Sequence, residues 1–247
     1  MKYSHLKISK DFLEYEVKGT VMKNKNTFTV ENFRNQIRAL KYQEFYDSVG
    51  GKAARNDKLE NYRLPAIVYS YYFLLITQKR IPTVQKLCES YERRYCEETK
   101  DGHLQLKKDY INGKNIQFTR NELQGRICRA YNSYHREVDI LLQLIESYGK
   151  DYDFYYSFEE DFFKGVDIVC KAKDGTRYDI ATYFSSARSK SFKAAKNDHR
   201  HEYKNINIDV VAEFEGPNKN VITIGDAKLY NKKAVKSVYK ELTKKRG

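Results

Sequence analysis

Proline and glycine are scarce in this 247-residue chain, which has 3 Pro, 12 Gly and no Trp. This scarcity of turn-forming residues argues for few long irregular loops. Cysteine is also rare, and its spacing contains neither a CxxC pair nor a regular framework, so we expect free thiols in a reducing compartment. The four positions are Cys88, Cys96, Cys128 and Cys170.

Long apolar runs are missing as well. The first twelve residues, MKYSHLKISKDF, lack the apolar core of a signal peptide. The stretch IVYSYYFLLI at 67–76 is too short to span a bilayer and predicts a buried helix. We therefore expect a cytoplasmic protein without membrane contact.

Several common catalytic signatures are absent from the sequence, namely GxGxxG, GxxxxGK[ST], GxSxG and HExxH. Their absence removes the usual arguments for dinucleotide binding, mononucleotide binding, a hydrolase nucleophile elbow and a zinc protease. No residue context favours a cysteine nucleophile.

Acidic residues are outnumbered, with 33 Asp and Glu against 46 Lys and Arg, which gives a net charge of +13. The basic residues are spread along the whole chain, and Lys or Arg beside phosphates gains free energy by releasing condensed counterions. The composition is 40% hydrophobic and 14% aromatic, as expected of a globular protein. We therefore expect a folded protein whose partner is a nucleic acid.

Residues 1–125 have a mostly helical period. Helices are predicted over 29–49 and 64–78 and from about Pro82, and a capping box at Thr119 and Glu122 opens a longer one. The apolar stripe of that helix should be core, with basic residues outside. This part is either a helix-turn-helix or winged-helix unit that presents 89–95 or 119–131 to DNA, or a scaffold with solvated basic faces.

Residues 126–247 form the second part, in which the pattern becomes strand-like with turn signals after about residue 150. Together with the long helix, the order is α-β-β-β-α-β-β-α, which predicts an α/β (α+β) fold: a helical N-terminal part followed by a mixed sheet flanked by helices. We expect a domain boundary near residue 125.

The stretch NINIDVVAEFEGPNKNVITIGDAKLY at 205–230 holds residues suited to phosphodiester chemistry. Folding it about Pro217 and Asn218 would bring Asp209 opposite Asp226, with Lys228 on the same face. Two carboxylates can hold Mg²⁺, and a nearby lysine can position the attacking water. The alternative is an exposed hairpin end with ordinary surface charges.

This pattern resembles that of the PD-(D/E)xK nuclease superfamily, in which a strand Asp and a hairpin precede an acidic-x-Lys. The motif positions are Asp209, Asp226 and Lys228, with Ile208 where the pattern has Pro. The resemblance covers the chain after about residue 125 and implies a restriction-endonuclease-like core. This placement leaves only about twenty residues for the remaining helix and strand.

A second placement within the same resemblance keeps the expected order of core elements. Asp167 is then the first carboxylate and Asp179 the second, and Glu137 on the preceding helix adds another. Ala181 stands where the motif has lysine, so the following helix must supply it from one of three positions: Lys196, Lys190 or Lys193. Both placements stay open.

A basic stretch at 186–201, SARSKSFKAAKNDHRH, suits either placement, because its cations can reach backbone phosphates. They are Arg188, Lys190, Lys193, Lys196 and Arg200. The alternative is a solvated basic helix.

The resemblance implies a Mg²⁺-dependent endonuclease acting on double-stranded DNA, similar to type II restriction enzymes, with 5′-phosphate and 3′-hydroxyl products. A homodimer follows by analogy with restriction enzymes of this size. The competing interpretations are a non-catalytic DNA-binding regulator or accessory protein and a nuclease that acts on RNA.

Overall fold

The structure is a computed structural model that describes residues 16–17, 28–61, 64, 67–108, 115–158, 160–161, 165–184 and 206–246. Within these ranges the helices are α1 Val30–Arg38, α2 Tyr42–Ser48, α3 Asp57–Asn61, α4 Ile67–Gln78, α5 Val84–Tyr95, α6 Arg120–Tyr148 and α7 Lys232–Arg246. The strands are β1 Glu16–Val17, β2 Cys96–Glu98, β3 Leu104–Leu106, β4 Tyr152–Ser157, β5 Ile168–Ala172, β6 Arg177–Phe184, β7 Ile206–Ala212, β8 Val221–Ile224 and β9 Ala227–Tyr230. The predicted α/β class is confirmed.

The main sheet is mixed and has the order β4-β5-β6-β7, with the two residues of β1 paired to the outer edge of β4. Strand β4 is antiparallel to β5 and β5 is antiparallel to β6, whereas β7 runs parallel to β6. The hairpins β2-β3 and β8-β9 form two separate small sheets. A parallel pair therefore follows an antiparallel meander, and residues 185–205 connect its two strands.

Helix α6 is the longest element in the described ranges, at 29 residues. Thr119 accepts a hydrogen bond from the Glu122 backbone N–H at 3.2 Å, and the Glu122 side chain accepts one from the Thr119 N–H at 2.7 Å, so the predicted capping box is confirmed. The predicted apolar stripe has seven positions; its first five are buried in the core, and its last two, Ile145 and Tyr148, are half-buried. The buried positions are Ile127, Tyr131, Tyr134, Val138 and Leu141.

One face of the main sheet packs into the same core as α6. Alternate residues of three neighbouring strands point to this face. They are Ile168 and Cys170 on β5, Tyr178 and Ile180 on β6, and Ile208 and Val210 on β7. A single cluster of buried residues has members from Phe28 to Leu242. Helix α6 crosses the domain boundary expected near residue 125.

Two predicted elements divide where the backbone leaves the regular conformation. The helix expected over 29–49 is two helices, because Lys41 between them has φ −100° and ψ 59°, outside the helical region. The half of the 205–230 stretch that follows the Pro217-Asn218 turn, residues 220–230, was expected to form one strand and is instead the hairpin β8-β9, whose turn holds Gly225 at φ +54°. A Cβ at Gly225 would lie 3.0 Å from the Ile37 carbonyl oxygen, so the turn needs glycine both for its φ and for this close approach.

The expectation of free thiols is confirmed, since all four cysteines are buried and none forms a disulfide. Among the helices in the described ranges, none combines the length and the apolar composition needed to cross a bilayer.

His135 lies in the core among the aromatic rings of Phe33, Tyr71 and Tyr131. Neither of its ring nitrogens has a hydrogen-bond partner among the described residues, and burial lowers its pKa to about 3. The unfolded chain therefore binds a proton below about pH 6.5 that the folded protein does not.

Because of this histidine, we expect the free energy of unfolding to decrease as the pH is lowered below 6.5, by up to about 1.4 kcal/mol per pH unit. Urea unfolding from pH 7 to 4.5 measures this, and His135→Leu should show a shallower slope than the wild type. His103→Leu, at an exposed position, should keep the wild-type slope. Equal slopes for all three proteins would contradict the prediction.

Candidate functional site

The candidate site lies where β5 begins beside the carboxyl end of β6. Asp167 donates its backbone N–H to the Ile180 carbonyl at 3.0 Å. Its carboxylate accepts hydrogen bonds from the Thr182 backbone N–H at 2.5 Å and from the Thr182 hydroxyl at 3.2 Å. Thr182 is on the α6 side of the sheet, because it shares that face with Ile180 and with Val210 of β7. The Asp167 carboxylate is thus held at the α6 side.

Helix α6 contributes Arg136 and Glu137 to the same neighbourhood. Arg136 is buried, with 3% of its surface exposed, and it donates to the Lys228 carbonyl at 3.3 Å. Burial lowers the pKa of Arg136, while Tyr230, Glu137 and Asp167 oppose that shift. The guanidinium therefore lies within electrostatic range of the Glu137 and Asp167 carboxylates.

Tyr230 of β9 closes the site where the parallel strands end. Its hydroxyl donates to the Val210 carbonyl of β7 at 2.9 Å and accepts from the Tyr183 backbone N–H of β6. Burial raises its pKa, and Asp167 and Glu137 add to the shift. We call Arg136, Glu137, Asp167, Thr182 and Tyr230 the Asp167 cluster. It occupies the carboxyl end of a parallel strand pair, the usual position of ligand sites in open α/β sheets.

Side chains of α6 fix β9 in place by donating hydrogen bonds to alternate backbone carbonyls from Asp226 to Tyr230. Asn132 donates to the Asp226 carbonyl at 3.5 Å, Arg136 to that of Lys228, and Gln143 to that of Tyr230 at 3.0 Å. These side chains satisfy strand carbonyls that have no strand partner on that side. The arrangement places Tyr230 and holds the guanidinium of Arg136 within the cluster.

Asp179 lies on the opposite face of the sheet from the Asp167 cluster. It is level with Val169 of β5, which belongs to a separate small cluster of buried residues. Only 4% of its surface is exposed, and it accepts a hydrogen bond from Arg177 at 2.9 Å. Arg177 also pairs with Glu160. The Asp167 carboxylate turns to Thr182 on the α6 side and is therefore not brought together with Asp179, whose burial is accounted for by the ion pair with Arg177.

Asp209 is level with Ala181 in the β6-β7 ladder and is exposed on the same face as Asp179. The expected pairing of Asp209 with Asp226 is wrong, because β7 pairs with β6 and β8 pairs with β9. Asp226 sits in the β8-β9 turn and accepts from the Gln43 backbone N–H at 3.3 Å. Lys228 is exposed, with its Nζ 4.9 Å from the Phe214 ring centroid. Asn220, rather than a β7-β8 ladder, joins the two segments through hydrogen bonds to Glu213 and Val211.

The remaining predicted residues lie outside the described residues. They are Arg188, Lys190, Lys193, Lys196 and Arg200.

The basic residues at the front of α6 are engaged within the protein. Arg120 pairs with Glu92 at 2.8 Å, and Arg129 pairs with Glu60 at 2.5 Å. The guanidinium of Arg94, at the end of α5, packs over the rings of Tyr69 and Phe73. Segments 89–95 and 119–131 therefore direct much of their positive charge to internal partners.

The chemistry of the Asp167 cluster suits a hard cation. Mg²⁺ is bound in proteins by one or two carboxylates and keeps several waters, and Asp167 and Glu137 supply two. In the portion of the chain that the structure describes, no group of three or more His, Cys, Asp or Glu residues could hold a metal ion. Any resident ion would therefore need waters or substrate oxygens as further ligands.

Sequence reasoning missed Arg136, Thr182 and Tyr230. Arg136 is basic and was expected outside the apolar stripe of α6, yet it is buried because it bonds a β9 carbonyl and lies beside two carboxylates. One signal was available: Arg136 lies four residues before the apolar Ile140 and therefore shares its helix face. Tyr230 carries no sequence signal, since its contacts join strands far apart in the chain.

Comparison with known proteins yields no match: the chain corresponds to no family model, no curated protein and no solved structure. The functional argument therefore depends on the chemistry of the site.

Proposed function

We propose that the protein is a magnesium-dependent endonuclease that hydrolyses phosphodiester bonds in double-stranded DNA. The observation that carries this proposal is the Asp167 cluster, in which two carboxylates lie within electrostatic range of a buried guanidinium at the end of a parallel strand pair. The net charge of +13 supports a polyanionic substrate. The resemblance to PD-(D/E)xK nucleases, with a carboxylate at the start of a central strand, supports the same reaction class.

Asp167 and Glu137 are the residues that would hold Mg²⁺. The ion, when bound, supplies Lewis acidity toward a phosphoryl oxygen and lowers the pKa of a coordinated water. Thr182 fixes the direction of the Asp167 carboxylate through two hydrogen bonds. Arg136 is a charge partner for both carboxylates and is held by its bond to β9, so their orientation is set before substrate arrives.

The position of the motif lysine differs from the superfamily pattern. Ala181 stands at the lysine position of the motif; its side chain is uncharged and lies on the sheet face away from α6. Arg136 supplies one positive charge at the cluster, and we propose that a lysine of 186–201, such as Lys196, supplies the other near the phosphate. Dimerisation on palindromic sites is part of this proposal by analogy only.

A non-catalytic DNA-binding function is the second candidate, and one observation favours it. Helices α4 and α5 are joined by residues 79–83, and the hairpin β2-β3 follows α5 directly. This is the order of a helix-turn-helix unit followed by a wing. The exposed positions of α5 include Lys86 and Arg93 but also Glu89, so this surface is less basic than the chain as a whole.

Plasmid cleavage separates the two functions. Supercoiled DNA of varied sequence is incubated with the protein and Mg²⁺, with EDTA as the metal-free control and duplex RNA as a second substrate. We expect nicked or linear DNA with Mg²⁺ only, and no cleavage of RNA. Retarded but intact DNA would support the binding protein, and cleavage of RNA alone would replace DNA by RNA as the substrate.

A further inference from the structure

The exposed face of α7 carries a row of lysines. Four of them recur every fourth residue, and a fifth lies beside the first. All five are exposed, and we call them the lysine row: Lys232, Lys233, Lys236, Lys240 and Lys244. Seven of the fifteen residues of α7 are basic and only Glu241 is acidic, so this is the most one-sided charge pattern of the described helices.

The opposite face of α7 is fixed against the rest of the fold. Ala234, Val235, Val238 and Leu242 are buried in the common core. The ring of Tyr239 stacks on that of Tyr148 of α6, with centroids 4.0 Å apart. Since the apolar face is covered by the protein itself, the lysine row has one rigid orientation toward solvent.

The lysine row has no acidic partner among the described residues. Within the described ranges, the ion pair formed by α7 joins Arg246 to Asp174 at 3.2 Å, and none of the five lysines is paired with a carboxylate. Like charges four residues apart destabilise a helix, and Lys232 and Lys233 in the first turn oppose the positive end of the helix dipole. Lys244 in the last turn suits the negative end of the dipole, but helix stability gives no reason for the other four lysines, whereas an anionic partner does.

We propose that the lysine row is a docking surface for the sugar-phosphate backbone of duplex DNA. At 1.5 Å per residue, Lys232 and Lys244 are separated by about 18 Å along the helix axis. One strand of B-DNA presents about five phosphates over that length. The lysines recur about every 6 Å along the axis of a rigid helix on one inclined ridge, so several of them can contact phosphates of one duplex, and lysine acts as a point charge without base readout.

The surface binds without regard to sequence, so it holds the duplex while other groups read or cut it. The choice of duplex DNA as the partner rests on the proposed nuclease function. The binding itself needs neither Mg²⁺ nor the Asp167 cluster, because counterion release from phosphates is its driving force. An anionic membrane surface would offer similar charge, but the apolar face that a membrane helix inserts is here covered by the core.

The test replaces all five lysines of the row by glutamine. Its control replaces five exposed lysines elsewhere by glutamine: Lys52, Lys58, Lys100, Lys150 and Lys219. Both variants lower the net charge of +13 by five, to +8, so they differ only in where the charge is removed. Affinity for a duplex oligonucleotide is measured without Mg²⁺ at several salt concentrations, with vesicles of anionic lipid as the second ligand.

We expect the row variant to bind DNA at least about tenfold more weakly, and the slope of log K against log salt to shrink by about 3 to 4, as for the loss of four contacts. The control should keep most of the wild-type slope. The row variant should melt no lower than the wild type, because it removes like-charge pairs, so its lost affinity cannot be assigned to unfolding.

Equal loss of DNA affinity in both variants would overturn the proposal, because net charge alone would then account for DNA binding. So would a row variant that binds like the wild type, or vesicle binding in place of DNA binding. These outcomes are independent of the nuclease proposal. A wild type that binds through the row but never cuts refutes catalysis only, whereas a row variant with wild-type affinity that still cuts refutes the docking surface only.

Discussion

Replacing Asp167 by asparagine is expected to lower Mg²⁺-dependent cleavage of duplex DNA by at least about 100-fold. The substitution removes the charge that would bind the cation, while the amide oxygen can still accept the hydrogen bonds from Thr182. The loss should therefore appear in the cleavage rate at saturating DNA and not in the melting temperature. Single-turnover cleavage and a thermal melt measure the two effects.

The matched control for this prediction is Asp153→Asn, which removes one carboxylate from an exposed position of β4 and should leave the rate unchanged. The variants Asp209→Asn and Lys228→Ala test the other placement of the motif. If these two abolish cleavage while Asp167→Asn retains it, the catalytic carboxylates are those of the later segment and the Asp167 cluster is structural.

Replacing Arg34 by methionine is expected to destabilise the protein by about 3 to 5 kcal/mol. The Asp139 carboxylate has no exposed surface and accepts two hydrogen bonds from Arg34, at 2.7 and 2.9 Å. Gln143 donates a third at 2.7 Å. Burial raises the pKa of Asp139, and the bonds from Arg34 oppose that shift. Without Arg34 a buried carboxylate loses its counter-charge, and urea unfolding at pH 7 measures the cost.

A double variant tests whether the cost comes from the unpaired charge. Arg34→Met combined with Asp139→Leu should recover most of the loss, because a buried pair replaced by apolar residues is often neutral. The comparison pair is Arg55 with Asp57, at 2.9 Å but with both side chains more than half exposed. Arg55→Met should leave the unfolding free energy unchanged within error. A double variant as unstable as Arg34→Met would show that lost packing dominates.

Arg34 also links this pair to the candidate site. It donates to the Tyr230 carbonyl at 3.2 Å, as Gln143 does at 3.0 Å. The buried pair on α1 and α6 therefore helps to position β9, whose Tyr230 side chain closes the Asp167 cluster. Loss of Arg34 should weaken the site indirectly, through the strand that carries Tyr230.

Much of the fold follows from local patterns in the sequence. The capping box at Thr119 and Glu122 and the stripe that contains Ile127 and Val138 identify α6, because helix caps and a 3.6-residue period act within a few residues. The strands β4 to β7 follow from short apolar runs and their turns in the same way. The net charge of +13 and the free thiols of four unpaired cysteines are likewise properties of composition and spacing.

Tertiary structure alone decided which carboxylates meet. Asp209 and Asp226 are separated because β7 pairs with β6 and β8 pairs with β9. Asp167 and Asp179 are separated because Asp167 precedes β5 and its carboxylate turns to Thr182, whereas Asp179 lies on the face of Val169. The burial of Arg136 depends on a β9 carbonyl that lies 92 residues away in sequence. Strand pairing and register are determined by packing between residues far apart in the sequence. The sequence therefore identifies the candidate residues but not the distances between them.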